Sequence, residues 1–356
     1  MVELDKLVAS LPKRDRDRFN RIFHVSIAEG SLAAPKAMHE WVKKQFGSLE
    51  AVENQKVVKV TNIVTFQGAL FNELRALRPI EFRDRSGVEA ALTELAAGDT
   101  FRDPVNGTPE DVFGRVTGKH SVTASNIAKY DGFHGLVIFN ESNPLNFTRE
   151  QVSDYIDVAQ QWAEKAAAAD PAARYYFLMW NCLWRAGASI IHGHMQMTLS
   201  RGMHYAAVEY LRRCASEYNV RTRSKYFDDF YLIHESLGCG FERNGVRVIA
   251  PLTPVKEKGV TLIADRFDDE LKSAMYDAMV CYRENLGVVS FNVAVHMPPI
   301  AAVAEDWSDF PVMVHLVDRG DTKSRMSDIG AMELFAQPVI SSDPFVVARA
   351  LKDAML

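Results

Sequence analysis

The stretch Gly187-Ala188-Ser189-Ile190-Ile191-His192-Gly193-His194-Met195-Gln196-Met197 constrains the fold more than any other part of the chain. In extended backbone, successive side chains point to opposite faces. His192, His194 and Gln196 then share one face, and Ile191, Met195 and Met197 share the other. The segment reads as a strand with a wet side and a core side. Gly187 and Ser189, just upstream, suit a tight turn that offers backbone N–H groups to an anion.

Three readings of this face compete. Two histidines on one face of a strand can share a metal ion, but a structural site needs four ligands and a catalytic one three. No Cys-x-x-Cys pair or carboxylate at fixed spacing lies nearby. The histidines can also be ordinary strand residues with no chemistry. In the third reading, a neutral imidazole nitrogen attacks an α-phosphate to form a phosphoramidate. The other ring nitrogen is then held by a hydrogen bond that sets the tautomer. A glutamine donates to a phosphate oxygen, and backbone N–H groups take the developing charge.

The flanking sequence supports a mixed fold. Residues 1–50 read as helical and rich in mixed-sign charge, with a second amphipathic helix over Ala33–Phe46. Val57–Thr65 is β-branched and strand-like. Arg75 and Arg78 follow it at a spacing that shares one helical face, and paired guanidiniums suit a phosphate or a salt-bridged surface. Gly114–Lys119 fails the GxxxxGK[ST] phosphate-loop pattern, because His120 follows the lysine. A strand over His134–Phe139 precedes a helix over Thr148–Ala169, with Thr148 as its cap. Tyr175–Trp180 and the histidine segment form a hairpin around the turn Asn181–Ser189. A helix is expected over Met203–Glu217.

From Phe230 the order of elements begins again, which suggests an internal duplication without a residue-level repeat. The expected elements are a strand region over Phe230–His234, strands over Val246–Ala250 and Val260–Ala264, and a helix over Asp268–Leu286. Strands over Val289–His296 and Val312–Val317 and a C-terminal helix from about Pro344 complete it.

The net charge of −5 argues against a general nucleic-acid binder, which needs a basic surface. No run approaches the ~18–20 apolar residues of a membrane span, and no apolar stretch behind the charged N-terminus marks a signal peptide. Cys182, Cys214, Cys239 and Cys281 are scattered and form no disulfide framework, so a cytoplasmic location is expected.

The pattern Gly-Ala-Ser-x-x-His-x-His-x-Gln resembles the active-site signature of the galactose-1-phosphate uridylyltransferase branch of the histidine-triad superfamily. That branch also contains diadenosine tetraphosphate phosphorylases. Asn181, the strand Phe291–Pro298, Val314-His315-Leu316 and Gly330–Leu334 carry the likeness, which covers roughly residues 60–356. It implies an α+β fold: two histidine-triad-like halves forming a mostly antiparallel sheet or half-barrel with flanking helices. The implied division is a helical extension over 1–55, a first half over 56–220 with the nucleophile strand, and a second half over 221–356. It implies His194 as the nucleophile of a ping-pong nucleotidyl transfer, Gln196 steadying the α-phosphate and His192 supporting the site. Gly187, Ser189, Asn181, Arg75, Arg78 and Asn126 would bind the nucleotide and its phosphates, and Glu333 the hexose. Substrates would be a nucleotide sugar, a UDP-sugar first, and a sugar 1-phosphate, and the assembly a homodimer.

Two departures matter. Relatives with a structural zinc use an N-terminal Cys-x-x-Cys that this chain lacks, so no zinc is expected at His192. A second metal site in some relatives uses one Glu and three His. Glu209, His296 and His315 would fill three positions, and Met313 occupies the fourth. The alternatives are a phosphorylase or hydrolase of a dinucleoside polyphosphate or an ADP- or GDP-sugar with the same nucleophile, and a non-catalytic nucleotide-sugar sensor.

Overall fold

The computed structural model describes residues 1–77, 99–324 and 326–356. Its strands are β1 Phe23–Ser31, β2 Asn54–Asn62, β3 Gly68–Phe71, β4 Ser121–Ser125, β5 Phe133–Phe139, β6 Ala173–Cys182 and β7 His194–Arg201. They continue as β8 Gly240–Arg243, β9 Val246–Ile249, β10 Val260–Ala264, β11 Phe291–His296, β12 Val312–Asp318 and β13 Val339–Ile340. The helices are α1 Leu4–Ser10, α2 Lys13–Ile22, α3 His39–Phe46, α4 Leu49–Glu53, α5 Pro104–Gly107 and α6 Arg149–Ala169. After them come α7 Ala206–Thr222, α8 Tyr226–Leu237, α9 Asp269–Glu284, α10 Ala331–Phe335 and α11 Pro344–Met355.

Nine strands form one sheet in the order β4-β5-β7-β6-β11-β12-β10-β9-β8, with every neighbouring pair antiparallel. A second sheet, β1-β2-β3-β13, is antiparallel except where β13 joins β3. The α+β class expected from the sequence is what the chain adopts.

Period-2 alternation builds the large sheet. Met195, Met197 and Leu199 of β7, Leu178 and Trp180 of β6, and Val293 and Val295 of β11 enter one apolar layer. Helices α6 and α9 cover that layer, and Tyr155, Trp162 and Tyr282 are fully buried in it. Burying a large apolar side chain contributes about 1.5–3 kcal/mol, so this layer is the main source of stability. Thr148 caps α6 in a reciprocal capping box with Gln151, as the sequence signalled.

The opposite face is divided. Over the second half, Ile249, Ile263 and Met313 pack against α2, α7, α8 and the small sheet. Over the first half, among the described residues, Leu136 and Ile138 cluster with Phe101, Ala124 and Ile190, and there the sheet presents its polar residues. Read outward from the β6/β11 seam, the order is β6-β7-β5-β4 on one side and β11-β12-β10-β9 on the other. α6 stands between β5 and β6 as α9 stands between β10 and β11. The topology therefore repeats. One residue before the end of β5, Ile138 faces His194; one before the end of β10, Ile263 faces Met313. By the same count His315 is level with Gln196.

Three local expectations are corrected. Phe230–His234 is helix within α8, not strand. Tyr226, Phe230, Ile233 and Leu237 recur at helical spacing and are buried together, and Gly238 ends the helix in the left-handed region. Phe23–Ser31, inside a segment expected to be helical, is β1, because it pairs along its whole length with β2. The helix expected from Ala33 starts as a 3₁₀ turn at Lys36, since Pro35 favours extended backbone before it.

Candidate active site

The loop between β6 and β7 sets the site. Leu183 and Gly187 both have positive φ, +68° and +94°, around a 3₁₀ turn over Trp184–Ala186. The Gly187 N–H donates to the Trp184 carbonyl at 3.0 Å and the Ala188 N–H to that of Leu183 at 3.2 Å. Those two groups close the turn and are spent, so an anion must be met by N–H groups beyond them. Gly187 and Ser189 themselves are exposed.

The regular strand starts at His194, so His192 lies in the approach rather than on β7. The chain is pinned there by backbone bonds of 2.9 Å from Phe139 to the Gly193 carbonyl and from Gly193 to the Ser142 carbonyl. A Cβ on Gly193 would stand 2.5 Å from the Phe139 ring, so only glycine fits. His192 is buried, with Nδ1 2.5 Å from the Asp99 carboxylate and Nε2 2.8 Å from the Phe139 carbonyl. A carbonyl only accepts, so Nε2 donates to Phe139, while Nδ1 faces the Asp99 carboxylate.

The His192 carbonyl accepts from His194 Nδ1 at 2.8 Å. Nδ1 thus carries the hydrogen, and Nε2 keeps its lone pair. Burial holds the His194 pKa below the usual histidine range, which keeps the ring neutral at physiological pH. Phe101 meets both histidine rings edge-on, at centroid distances of 6.0 and 5.3 Å. A neutral imidazole with one fixed tautomer and an apolar wall is a competent nucleophile.

Gln196 follows on the same face of β7, and its Oε1 lies 3.0 Å from Nε2 of the fully buried His134. His134 Nδ1 accepts the Tyr130 N–H at 3.0 Å, so Nε2 is the donor to Gln196. The glutamine carbonyl is occupied, and its NH₂ remains for a phosphate oxygen. Asn126 Nδ2 stands 3.3 Å from His134 Nε2. The structure therefore gathers His192, His194, Gln196 and Asn126 around two residues that sequence reasoning missed, His134 and Asp99. The alternation of β5 signalled His134, which shares its face with Leu136 and Ile138. No local signal marked Asp99.

Asn181 pairs across the seam with Asn292, whose Nδ2 donates to it at 2.7 Å. Asn292 Oδ1 accepts from Arg319 at 2.7 Å, and Arg319 holds Asp328 through two bonds. Arg319 lines a cavity of about 490 Å³ together with Arg75, Arg185, Lys256, Asp328 and Glu333. Arg75 and Glu333 are thus brought to one cavity. Arg78 lies outside the described residues. Glu333 also accepts the Gly330 N–H at 2.9 Å and caps α10.

The metal positions that the resemblance implies do not fit these residues. Both His192 nitrogens are engaged by Asp99 and Phe139. Glu209 is clamped by Arg212 and Arg213, and the Arg212 hydrogen bonds lead in pulling its pKa down to about 2. His296 and His315 approach to 4.6 Å between ring centroids, yet among the described residues no three His, Cys, Asp or Glu are arranged to hold a metal ion.

No family model matches the chain, and no curated protein matches it in sequence. Solved structures do. An ADP-glucose phosphorylase from Arabidopsis thaliana, with bound ADP-glucose, superposes at TM-score 0.62 with 17% identity, over 83% of this chain and 98% of that one. A galt-like protein from Arabidopsis thaliana gives 0.59 and 16% over the same shares, 83% and 98%. A uridylyltransferase gives 0.55 and 14%, over 69% of this chain and 88% of that one. The chain shares the fold of the ADP-glucose phosphorylase, the galt-like protein and the uridylyltransferase.

Proposed function

We propose that the protein is a nucleotidyltransferase that moves an NMP group from a nucleoside diphosphate sugar to a phosphorylated acceptor through a covalent nucleotidyl-His194. The observation that carries this reading is the bond from His194 Nδ1 to the His192 carbonyl, which leaves the Nε2 lone pair unprotonated at neutral pH. Nε2 attacks the α-phosphorus, and a P–N bond forms as the bond to the bridging oxygen breaks. Sugar 1-phosphate leaves with the electron pair. The free NH₂ of Gln196 donates to a non-bridging oxygen as charge builds. The Nδ1–H bond spreads the positive charge that the ring acquires. An acceptor phosphate oxygen then attacks phosphorus, the P–N bond breaks, and the ring returns to its neutral form. UMP is the first candidate for the group transferred, from a UDP-hexose to a hexose 1-phosphate. The Met at position 313 leaves the second half without an equivalent nucleophile, so one nucleotide is transferred per chain.

A second reading keeps the covalent step and replaces the sugar 1-phosphate with inorganic phosphate. Likeness of fold to an ADP-glucose phosphorylase over 98% of that chain supports it.

Incubation with UDP-glucose, ADP-glucose and GDP-glucose separately, followed by intact mass measurement, tests the first step. One nucleoside monophosphate should be added per chain, and none in His194→Ala. An adduct that persists in that variant would sink the assignment. Release of the adduct by galactose 1-phosphate against inorganic phosphate decides between the two acceptors.

A further inference from the structure

A second cavity, of about 320 Å³, lies on the second half of the large sheet and away from His194. Its floor is the face of β11 and β12 that carries Asn292, Ala294, His296, Met313 and His315. Tyr210 and Leu211 of α7 and Tyr226 and Phe230 of α8 form a wall, and Thr65 and Gln67 belong to its rim. By the repeated topology this floor is the counterpart of the face that bears His194 and Gln196.

The two faces differ in charge. No Lys, Arg, Asp or Glu is among the described residues lining this cavity, whereas the cavity beside Arg75 is rich in both signs. A site built for a phosphate or a carboxylate needs cations, and this one has none. Its volume is at the small end of the range for organic ligands, and its apolar and aromatic lining with a few polar groups is what such ligands require. His296 Nδ1 and His315 Nε2 are buried without a hydrogen-bond partner. Buried polar atoms are ordinarily satisfied, and these two belong to rings that line the cavity. His315 Nδ1 is held 3.2 Å from the Thr261 hydroxyl, which orients the ring. Burial keeps both imidazoles neutral, so each can donate or accept according to tautomer.

We propose that this cavity is a non-catalytic binding site for a small uncharged aromatic heterocycle, of the size and hydrogen-bonding character of a free nucleobase, recognised by His296 and His315 between aromatic walls. With Met313 level with His194, the second half binds without forming a covalent bond. The site stands apart from nucleotidyl transfer and does not need His194.

Uracil, cytosine and adenine are titrated at pH 7.5 into the full-length protein, with orotate and inorganic phosphate as charged counterparts and Zn²⁺ as the metal alone. Binding is read by calorimetry and by the ring ¹⁵N signals of the histidines. At least one neutral base should bind, should move the His296 and His315 signals, and should bind His194→Ala equally well. Ala294→Phe, which fills the floor, should weaken it at least tenfold, and Val317→Trp serves if that variant does not fold. The proposal is overturned if no neutral base binds at millimolar concentration. It is equally overturned if binding survives both filling variants or is lost in His194→Ala, if orotate or phosphate binds as well as the neutral bases, or if Zn²⁺ alone engages the two histidines.

Discussion

His134 Nε2 lies 3.0 Å from Gln196 Oε1, and the Tyr130 N–H that enters His134 Nδ1 makes the imidazole the donor. This one bond decides which end of the Gln196 amide faces the reacting phosphate. The two groups of an amide differ little in size, so without the donor from His134 the side chain can turn over and present an oxygen to an anion.

Replacing Gln196 by Ala should slow formation of the nucleotidyl adduct by about 10²–10³-fold, the usual loss for one donor to a developing oxyanion. His134→Leu should lose a comparable part of that rate with substrate binding little changed, and His134→Asn should recover some of it. Single-turnover rates with the nucleotide sugar check this. A His134→Leu rate equal to that of the parent would remove His134 from the site's machinery.

Gly193→Ala should disturb the site without unfolding the chain, because the added Cβ meets the Phe139 ring at 2.5 Å and the Glu141 carbonyl at 3.0 Å. The backbone that carries the His192 carbonyl must shift, and the tautomer lock on His194 loosens. The expected result is a drop of about 10²-fold in the adduct rate, the order that small misplacement of reacting groups produces. Far-ultraviolet dichroism should be unchanged.

The pH dependence follows from the depressed His194 pKa. Burial lowers it, so the ring remains unprotonated below the ordinary histidine range. The rate of adduct formation should stay flat as pH falls from 8 through 6.5 and decline only at lower pH. A fall centred at or above 6.5 would contradict the burial of this ring.

Stability should have its own pH dependence, set in part by His234. This ring is fully buried, with Nδ1 2.7 Å from the Phe230 carbonyl and Nε2 accepting the Leu252 N–H at 3.0 Å. Protonation would break the second bond, and burial brings the pKa down to about 4. The unfolded chain takes up the proton near 6.5, so the stabilisation is complete above that pH and is lost as pH falls towards 4. The full loss is roughly 3 kcal/mol at 1.36 kcal/mol per unit. Denaturant titrations at pH 7 and pH 4.5 should show less loss for His234→Gln than for the parent, although His234→Gln is the less stable of the two at pH 7.

A buried charge cluster gives a further test. Asp229 accepts from Arg18 at 2.8 Å, Arg21 at 3.1 Å and Tyr218 at 2.7 Å, tying α2 to α7 and α8. Asp229→Ala leaves the buried Arg18 with only Asp15, so about 3–5 kcal/mol of stability should be lost. Urea unfolding measures it, with the adduct rate at low temperature little affected.

Much of the first half was legible because its signals are local. Alternation over Ile191–Met197 identified a strand with one apolar face, and Thr148 marked the start of α6. Repetition of the β-β-helix-β-β order was visible as an echo and is realised as the two sides of the β6/β11 seam. The failures came where local pattern and long-range pairing compete. Phe230–His234 is apolar enough for a strand over five residues, and only the longer run to Leu237 shows the helical period. Phe23–Ser31 has weak propensity of its own and is strand because β2 offers it nine partners.

The sequence by itself determined which side chains are available: two histidines, His192 and His194, and a Gln two residues on, all set to one face by the period of a strand. The period of a strand is a property of neighbouring residues, whereas the lack of space at Gly193 is imposed by Phe139 and Glu141 from a distant part of the chain. Tertiary structure alone decided how that chemistry is poised. His134 reaches Gln196 from 62 positions away, Asp99 reaches His192 from 93, and Asn292 meets Asn181 across the seam from 111. Amide orientation and pKa are set by contacts between distant parts of the chain, whereas the His194 tautomer rests on the His192 carbonyl two residues away.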